Sequence, residues 1–206
     1  MASDFELLDA WADGDRSAGS ELFERHFLAV YRFFRNKVEG EVHDLVQDVM
    51  LRCTESRDRY RREAGFRAFL FGVARRVLHD HLRRVYRDRE VSPLSTSVAD
   101  LGTSPSRFAV RTAEHRVLLA ALRSLPLDLQ IALELSYWES LSSAEIGAVL
   151  ELNPATARTR LRTARTKLAE RMDELAGSPE LAASTMDNLE RWATSLRDYL
   201  AEEARS

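Results

Sequence analysis

The chain has 206 residues, 45% of them hydrophobic and 8% aromatic, with only 8 Gly and 5 Pro, a composition that predicts a mostly helical protein of one or two domains. Its single cysteine, Cys53, excludes an internal disulfide and a multi-cysteine zinc site. No run of 18 apolar residues exists, and the acidic start MASDFELLDAWADGD lacks a signal-peptide core, so a soluble, cytoplasmic protein with no membrane insertion is expected. The formal net charge of −3 conceals segregation: residues 57–89 carry 11 basic and 4 acidic groups, and 152–171 carry 6 and 1, while the segments around them are acidic. Two basic blocks on an acidic background suggest two contact zones for one polyanion. The plain alternative is two solvated helix faces.

In chain order, a short helix is expected near 4–12. Residues 17–37 place Leu22, Phe23, Phe27, Val30, Tyr31 and Phe34 at helical spacing, and 41–55 repeat the pattern with Val42, Leu45, Val46, Val49 and Met50. A helix over Phe66 to Arg84 follows, with Phe66, Phe69, Leu70, Val73, Ala74, Val77 and Leu82 as its apolar stripe. The spacing assigns Phe66 and Phe69 to the core and leaves Phe71 open. The segment EVSPLSTSVADLGTSPSR, 90–107, is Ser-rich, has two prolines and no sustained period, and reads as a flexible linker. A second helical unit covers 108–171. A break at GSP, 177–179, precedes a last helix near 184–203. The expected fold is all-α: two small helical domains, 1–89 and 108–171, then an extension over 172–206. No strand and no internal repeat is found.

The most informative stretch is LSSAEIGAVLELNPATARTRLRTARTKL, 141–168. Ser142 and Glu145 have capping-box spacing, and Leu141 and Ile146 have hydrophobic-staple spacing. The helix they start should end near Leu150. After the turn ELN, Asn153 can cap a second helix with Pro154 at its first position. Ala157, Leu161, Ala164 and Leu168 make one buried stripe in it. Thr156, Arg158, Thr159, Arg160, Arg162, Thr163 and Arg165 are left outside. That is the pattern of a helix-turn-helix whose second helix enters the major groove. Arg bonds guanine edges bidentately, and Thr bonds phosphate or touches a thymine methyl. A helical hairpin with a solvated Arg face is the alternative reading.

With these residues in view, a resemblance is plain. LPLDLQIALELSYWESLSSAEIGAVLELNPATARTRLRTARTKL, 125–168, resembles the C-terminal DNA-binding domain of extracytoplasmic-function (ECF) sigma factors of the sigma-70 family. ELFERHFLAVYRFF, DLVQDVMLR and FRAFLFGVARRVLHDHLRR, within 21–84, resemble the family's N-terminal domain. The resemblance covers 17–171, with both domains in the family's order. It implies a transcription initiation factor whose partners are core RNA polymerase and promoter DNA, with an anti-sigma protein or other regulator as a further partner in many relatives. It implies no cofactor, no metal and no enzymatic activity. Asp44, Gln47, Asp48 and Arg52 match the segment that grips the polymerase clamp helices. Residues 55–65 match the loop that holds a flipped base of the downstream promoter element, and 66–84 match the helix that recognises and melts it. Tyr60, Arg61, Arg62, Arg75, Arg76, Asp80, Arg83 and Arg84 are the implied contacts there, since exposed bases stack on aromatic and guanidinium planes. The upstream-element set is Thr156, Arg158, Thr159, Arg160, Arg162, Thr163 and Arg165. The chain departs from the common family pattern at Phe69, often Trp, and Arg76, often Asn.

Two features stand beside the resemblance. His79 and His81 are two apart, which is not metal spacing on a helix, and are read as surface or satisfied histidines. Beyond 171, Leu189, Trp192, Ala193, Leu196, Tyr199 and Leu200 form an apolar stripe on an acidic helix. It has three readings: packing on this chain's own domains, binding a regulator, or covering the basic helix before it. Three function classes fit a helical, DNA-facing chain: an initiation factor, a helix-turn-helix regulator that works without polymerase, and a nucleic-acid enzyme. The N-terminal resemblance disfavours the second. No Gly-rich phosphate loop or nucleophile–base pair supports the third.

Overall fold

The structure is a computed structural model that describes residues 1–38, 40–56, 65–87, 90–102 and 113–176, together with positions 190, 191, 194, 195 and 198. Among the described residues eight helices follow one another, with a single isolated bridge between Ser97 and Pro126. Helix α1 (Asp4–Ala12) starts at Ser3, whose hydroxyl accepts from the Glu6 N–H while the Glu6 carboxylate accepts from the Ser3 N–H. Helix α2 (Arg16–Arg35) starts at Asp15, whose carboxylate accepts from the N–H groups of Ser17 and Ala18. The two helices approach closely at Gly19, where a Cβ would lie 2.6 Å from the Trp11 ring.

Helices α3 (Val42–Ser56) and α4 (Gly65–Val85) complete the first half. Leu45, Val46, Val49 and Met50 are buried, as their spacing predicts. So are Phe66 and Phe69, and so is Phe71, which the sequence leaves open. The Phe71 ring centroid lies 5.8 Å from that of Phe33. Cys53 is enclosed on α3, and burial pushes its thiol pKa up to about 12.

The second half is built from α5 (Ala113–Arg123), α6 (Leu127–Tyr137), α7 (Ser143–Leu150) and α8 (Pro154–Leu175). Leu118, Leu122, Leu129, Leu133, Trp138, Ala164, Leu168 and Met172 form its own apolar cluster. Helix α8 runs four residues past the expected limit of 171 because Met172 extends its buried stripe by one more turn. The described part of the linker is seated on this half. The Leu127 N–H donates to the Thr96 carbonyl at 3.0 Å, the Asp128 N–H to the Pro93 carbonyl at 3.0 Å, and the Ala99 N–H to the Arg123 carbonyl at 3.0 Å. Val98 and Leu101 are buried in the larger apolar cluster, to which both halves contribute.

The halves pack on each other, α7 against α4. One apolar cluster unites Phe71, Ala74 and Leu78 of the first half with Ile131, Ile146, Val149 and Leu150 of the second. Ion pairs cross the same seam: Lys37–Glu134, Arg75–Asp128, and Arg32 and Arg67 with Glu139. The apolar stripe expected over 189–200 and the contacts of Trp192, Leu196 and Tyr199 lie outside the described residues. Positions 190, 191, 194, 195 and 198 are helical.

Candidate nucleic-acid and polymerase interfaces

The helix-turn-helix is assembled by local chemistry. Ser142 and Glu145 form a complete capping box, with the Ser142 hydroxyl accepting from the Glu145 N–H and the Glu145 carboxylate accepting from the Ser142 N–H at 2.8 Å. Leu141 and Ile146 are both buried beside it. Helix α7 ends at Glu151 in the left-handed region, φ 59, and the Leu152 N–H returns to the Gly147 carbonyl at 2.8 Å. Asn153 then caps α8, its side-chain oxygen accepting from the Thr156 N–H at 2.8 Å, with Pro154 at the first helical position.

This geometry sets which face of α8 points outward. Ala157, Leu161, Ala164 and Leu168 are buried; Arg158, Thr159, Arg162, Thr163 and Arg165 are exposed, and Thr156 and Arg160 are half-buried. The Arg165 guanidinium stands 5.6 Å from the Tyr137 ring centroid, and the Thr159 hydroxyl donates to the Ala155 carbonyl. Arg160 leans inward toward α6, 3.9 Å from Asp128. The exposed guanidinium groups of Arg158, Arg162 and Arg165 present a concentrated positive face, suited to phosphate oxygens and guanine edges.

On α4 the expected downstream-element residues divide. Arg76, Asp80, Arg83 and Arg84 are exposed. Arg76 bonds back to the Gly72 carbonyl, and Arg84 lies 3.7 Å from Glu41. Arg75 is instead turned inward, its guanidinium donating to both Asp128 oxygens at 3.0 and 3.1 Å. Tyr60, Arg61 and Arg62 lie outside the described residues. His81 is buried and 3.8 Å from Glu41. His79 differs from its sequence reading, because its Nε2 is buried without a hydrogen-bond partner. Burial, helped by Arg75, holds the His79 pKa below the ordinary imidazole value.

On α3, Asp44 and Gln47 are exposed and Asp48 is half-exposed. Arg52 donates to Asp48 at 2.9 Å and reaches across to Asp80 of α4 at 2.7 Å. Those two carboxylates, Asp80 first, raise the Arg52 pKa. The bridge ties the α3 face to the α4 face. Leu51, 57% exposed, sits on the α3 face and was not singled out from the sequence. The available signal was its place one step off the buried stripe of Val46, Val49, Met50 and Cys53.

The polar seam between the halves was also missed. Lys37, one of two lysines in an Arg-rich chain, is fully buried; its ammonium donates to Glu134 and to the Phe33 carbonyl. Burial lowers its pKa, and Glu134 opposes that shift. The Asn36 amide also donates to Glu134, and Arg123 donates to the Asn36 carbonyl at 2.7 Å. An acid within LPLDLQ, Asp128, and a lone Lys within RNK were weak signals.

Comparison with known proteins places the chain in a family. Residues 22–88 match the model for sigma-70 region 2, and 115–168 match that for sigma-70, region 4. The RNA polymerase sigma factor CarQ of Myxococcus xanthus is 32% identical over 175 residues, covering 82% of this chain and 97% of CarQ. The ECF RNA polymerase sigma factor SigM of Mycobacterium tuberculosis (strain ATCC 25618 / H37Rv) is 29% identical over 174 residues, 81% of this chain and 83% of SigM. Among solved structures, CnrH in complex with the cytosolic domain of CnrY shares the fold with a TM-score of 0.60 at 24% identity, covering 84% of this chain and 99% of CnrH. Both family regions stand in their family's order on an all-helical fold, and the chain belongs to the extracytoplasmic-function sigma factors of the sigma-70 family.

Proposed function

We propose that this sigma factor divides its work among three faces. The exposed face of α3, with Asp44, Gln47, Asp48, Arg52 and Leu51, grips core RNA polymerase. The outer face of α8, with Thr156, Arg158, Thr159, Arg160, Arg162, Thr163 and Arg165, reads the upstream promoter element. Helix α4 and the segment before it read and melt the downstream element through Arg75, Arg76, Asp80, Arg83, Arg84, Tyr60, Arg61 and Arg62. Residues 1–89 form the polymerase-binding and melting domain and 108–171 the upstream-reading domain.

The observation that carries this reading is α8. Its N-terminus is pinned by Asn153 and Pro154, its inner stripe is buried, and its Arg and Thr side chains stand outward on a rigid element. A fixed helix holds donors at base-edge spacing with little ordering cost, which favours specific readout over loose phosphate binding. The α3 face supplies the complementary requirement: acids and an amide around one exposed leucine, a polar rim around an apolar centre.

The protein itself catalyses no reaction in this reading. It positions the polymerase and works in the cytoplasm beside it. Because CnrH was solved with the cytosolic domain of CnrY, a protein that restrains this chain by binding it is part of the proposal.

The test mixes the purified chain with core polymerase and a promoter library and maps transcription starts. Defined starts that depend on the chain are expected. Asp44→Arg with Gln47→Ala and Leu51→Ala should lose core binding in a pull-down while circular dichroism stays unchanged. Retained core binding in that triple variant would overturn the α3 assignment.

A further inference from the structure

Arg158, Arg162 and Arg165 stand four and three positions apart, so they share one stripe of α8. At 1.5 Å per residue the row is about 10.5 Å long. All three side chains are exposed. The arginines turned inward are held differently. Arg75 and Arg160 meet the Asp128 carboxylate. A carboxylate fixes a guanidinium but takes up its charge and its donors. Arg165 instead stands 5.6 Å from the centroid of the Tyr137 ring, within reach of cation–π attraction. A ring face holds a cation without cancelling its charge, and it leaves the N–H donors for an oxygen acceptor.

Tyr137 is itself well placed to hold another group. It is the last residue of α6, and the next N–H, from Trp138, returns to the Glu134 carbonyl at 2.8 Å. Its ring is half-buried against the apolar cluster of the second half. Leu168, one turn beyond Arg165 on α8, lines the same apolar hollow as Tyr137, with Leu133 and Trp138. The ring is backed by the core and carries the Arg165 guanidinium over its face. An arginine without such a support samples many rotamers and must give them up when it meets DNA.

From this geometry we propose that Tyr137 is a positioning residue for DNA binding. It holds Arg165 extended and still fully charged, as the preordered end of the Arg158–Arg162–Arg165 row, and Arg165 meets a backbone phosphate. The proposal rests on the reading of α8 given above and adds a residue from a different helix that acts through Arg165 without touching DNA.

The test uses the full chain and a random-sequence DNA duplex over a salt series, since a phosphate contact forms on any sequence. The forms are wild type, Tyr137→Phe, Tyr137→Leu, Arg165→Ala, the last two combined, and Arg158→Ala. Arg165→Ala should weaken binding and lower the slope of log K against log salt by about 0.9, the loss of one phosphate contact. Tyr137→Leu should weaken binding about two- to tenfold, the range expected for ordering one long side chain at an interface. Its salt slope should stay that of wild type, because the contact still forms. Tyr137→Phe keeps the ring face and should bind within about twofold of wild type. In the Arg165→Ala background Tyr137→Leu should add nothing.

Thermal unfolding checks each variant. If Tyr137→Leu is unfolded at the assay temperature, Tyr137→Met, whose flexible side chain can fill the same hollow, takes its place with the same expectation. A purely structural Tyr137 gives a different pattern: Tyr137→Leu then weakens binding equally with and without Arg165, and that additivity overturns the proposal. So does a Tyr137→Phe protein as weak as Tyr137→Leu, or a Tyr137→Leu protein that binds as wild type while Arg158→Ala binds less well. Failure of the α8 reading shows elsewhere, as Arg158→Ala and Arg165→Ala both binding as wild type.

Discussion

Gly147 sits in the middle of α7, inside a fully capped eight-residue helix where Ala would be favoured by about 1 kcal/mol. Its replacement tests the geometry that aims α8. A Cβ at 147 would lie 2.8 Å from the Leu152 carbonyl oxygen and 3.4 Å from the Ala157 Cβ. The first neighbour is backbone of the turn, held by the Leu152 N–H bond to Gly147 itself, so no side chain can swing aside. Overpacking of this kind costs about 1–3 kcal/mol. Setting the propensity gain against it leaves Gly147→Ala about 0–2 kcal/mol less stable. For a chain of this length the upper end lowers the melting temperature by about 4–8 °C. Gly147→Val, with two further methyl groups and a smaller propensity gain, should fall further. The second readout is DNA binding by the folded variant, since any relief of the contact moves the turn and re-aims Arg158 and Arg162. Thermal unfolding and duplex binding of the two variants decide the matter. A Gly147→Ala protein that melts above wild type and binds DNA normally would refute the close approach and the pivot derived from it.

Arg158→Ala and Arg162→Ala should each weaken upstream-element binding. A guanine contact is recognised by a loss of about 1–3 kcal/mol with relaxed preference at one base, a phosphate contact by a uniform loss and a salt slope lower by about one; normal binding in both variants would mean that α8 faces elsewhere. The fold should lose stability on mild acidification. Burial is the largest cause holding the pKa values of His26, His79, His81 and His115 below 6.5, so the unfolded chain takes up protons first as pH falls past that value. The urea midpoint should therefore be level above about pH 7 and decline toward pH 5.5, each unit of pKa depression contributing up to about 1.4 kcal/mol; a flat profile would contradict the burial of these rings. Cys53 should resist alkylation at pH 8 in the folded protein and react promptly in urea, because the thiol is enclosed and its pKa is raised to about 12.

The parts of the fold legible in the sequence are those specified by neighbours in the chain. The Ser142–Glu145 box, the Asn153–Pro154 start and the stripe from Ala157 to Leu168 need only a few consecutive residues to be recognised, and each stands as its spacing predicts. Helix α4 was harder. Its sequence offers one stripe, but α3 covers it on one side and α7 on another, so Ala68, Phe71 and Leu78 are buried as well. A helix packed on two sides loses the polar face that makes periodicity readable, which is why its spacing alone does not place Phe71. The site residues followed the same division. Arg158, Arg162 and Gln47 are exposed because their own helices dictate it. Arg75 and Arg160 are claimed by Asp128, and Lys37 by Glu134, a partner 97 positions away. No local pattern announces such a pairing, since a charged residue that will be buried looks the same in sequence as one that will be solvated.

The seating of residues 90–102 bears on how sigma factors of this kind can be recombined. With Thr96, Pro93 and Ala99 bonded to Leu127, Asp128 and Arg123, and with Val98 and Leu101 inserted among buried side chains, this stretch is tied by its backbone to the second half as an N-terminal strap. A chimera joined at residue 107 would leave that strap on the wrong parent. It would expose Leu127 and Arg123 on one side and strand two apolar anchors on the other. Fusion just before Glu90 keeps the strap with the helices it binds, so exchange of promoter specificity between relatives should succeed at that junction and yield poorly soluble hybrids at the later one.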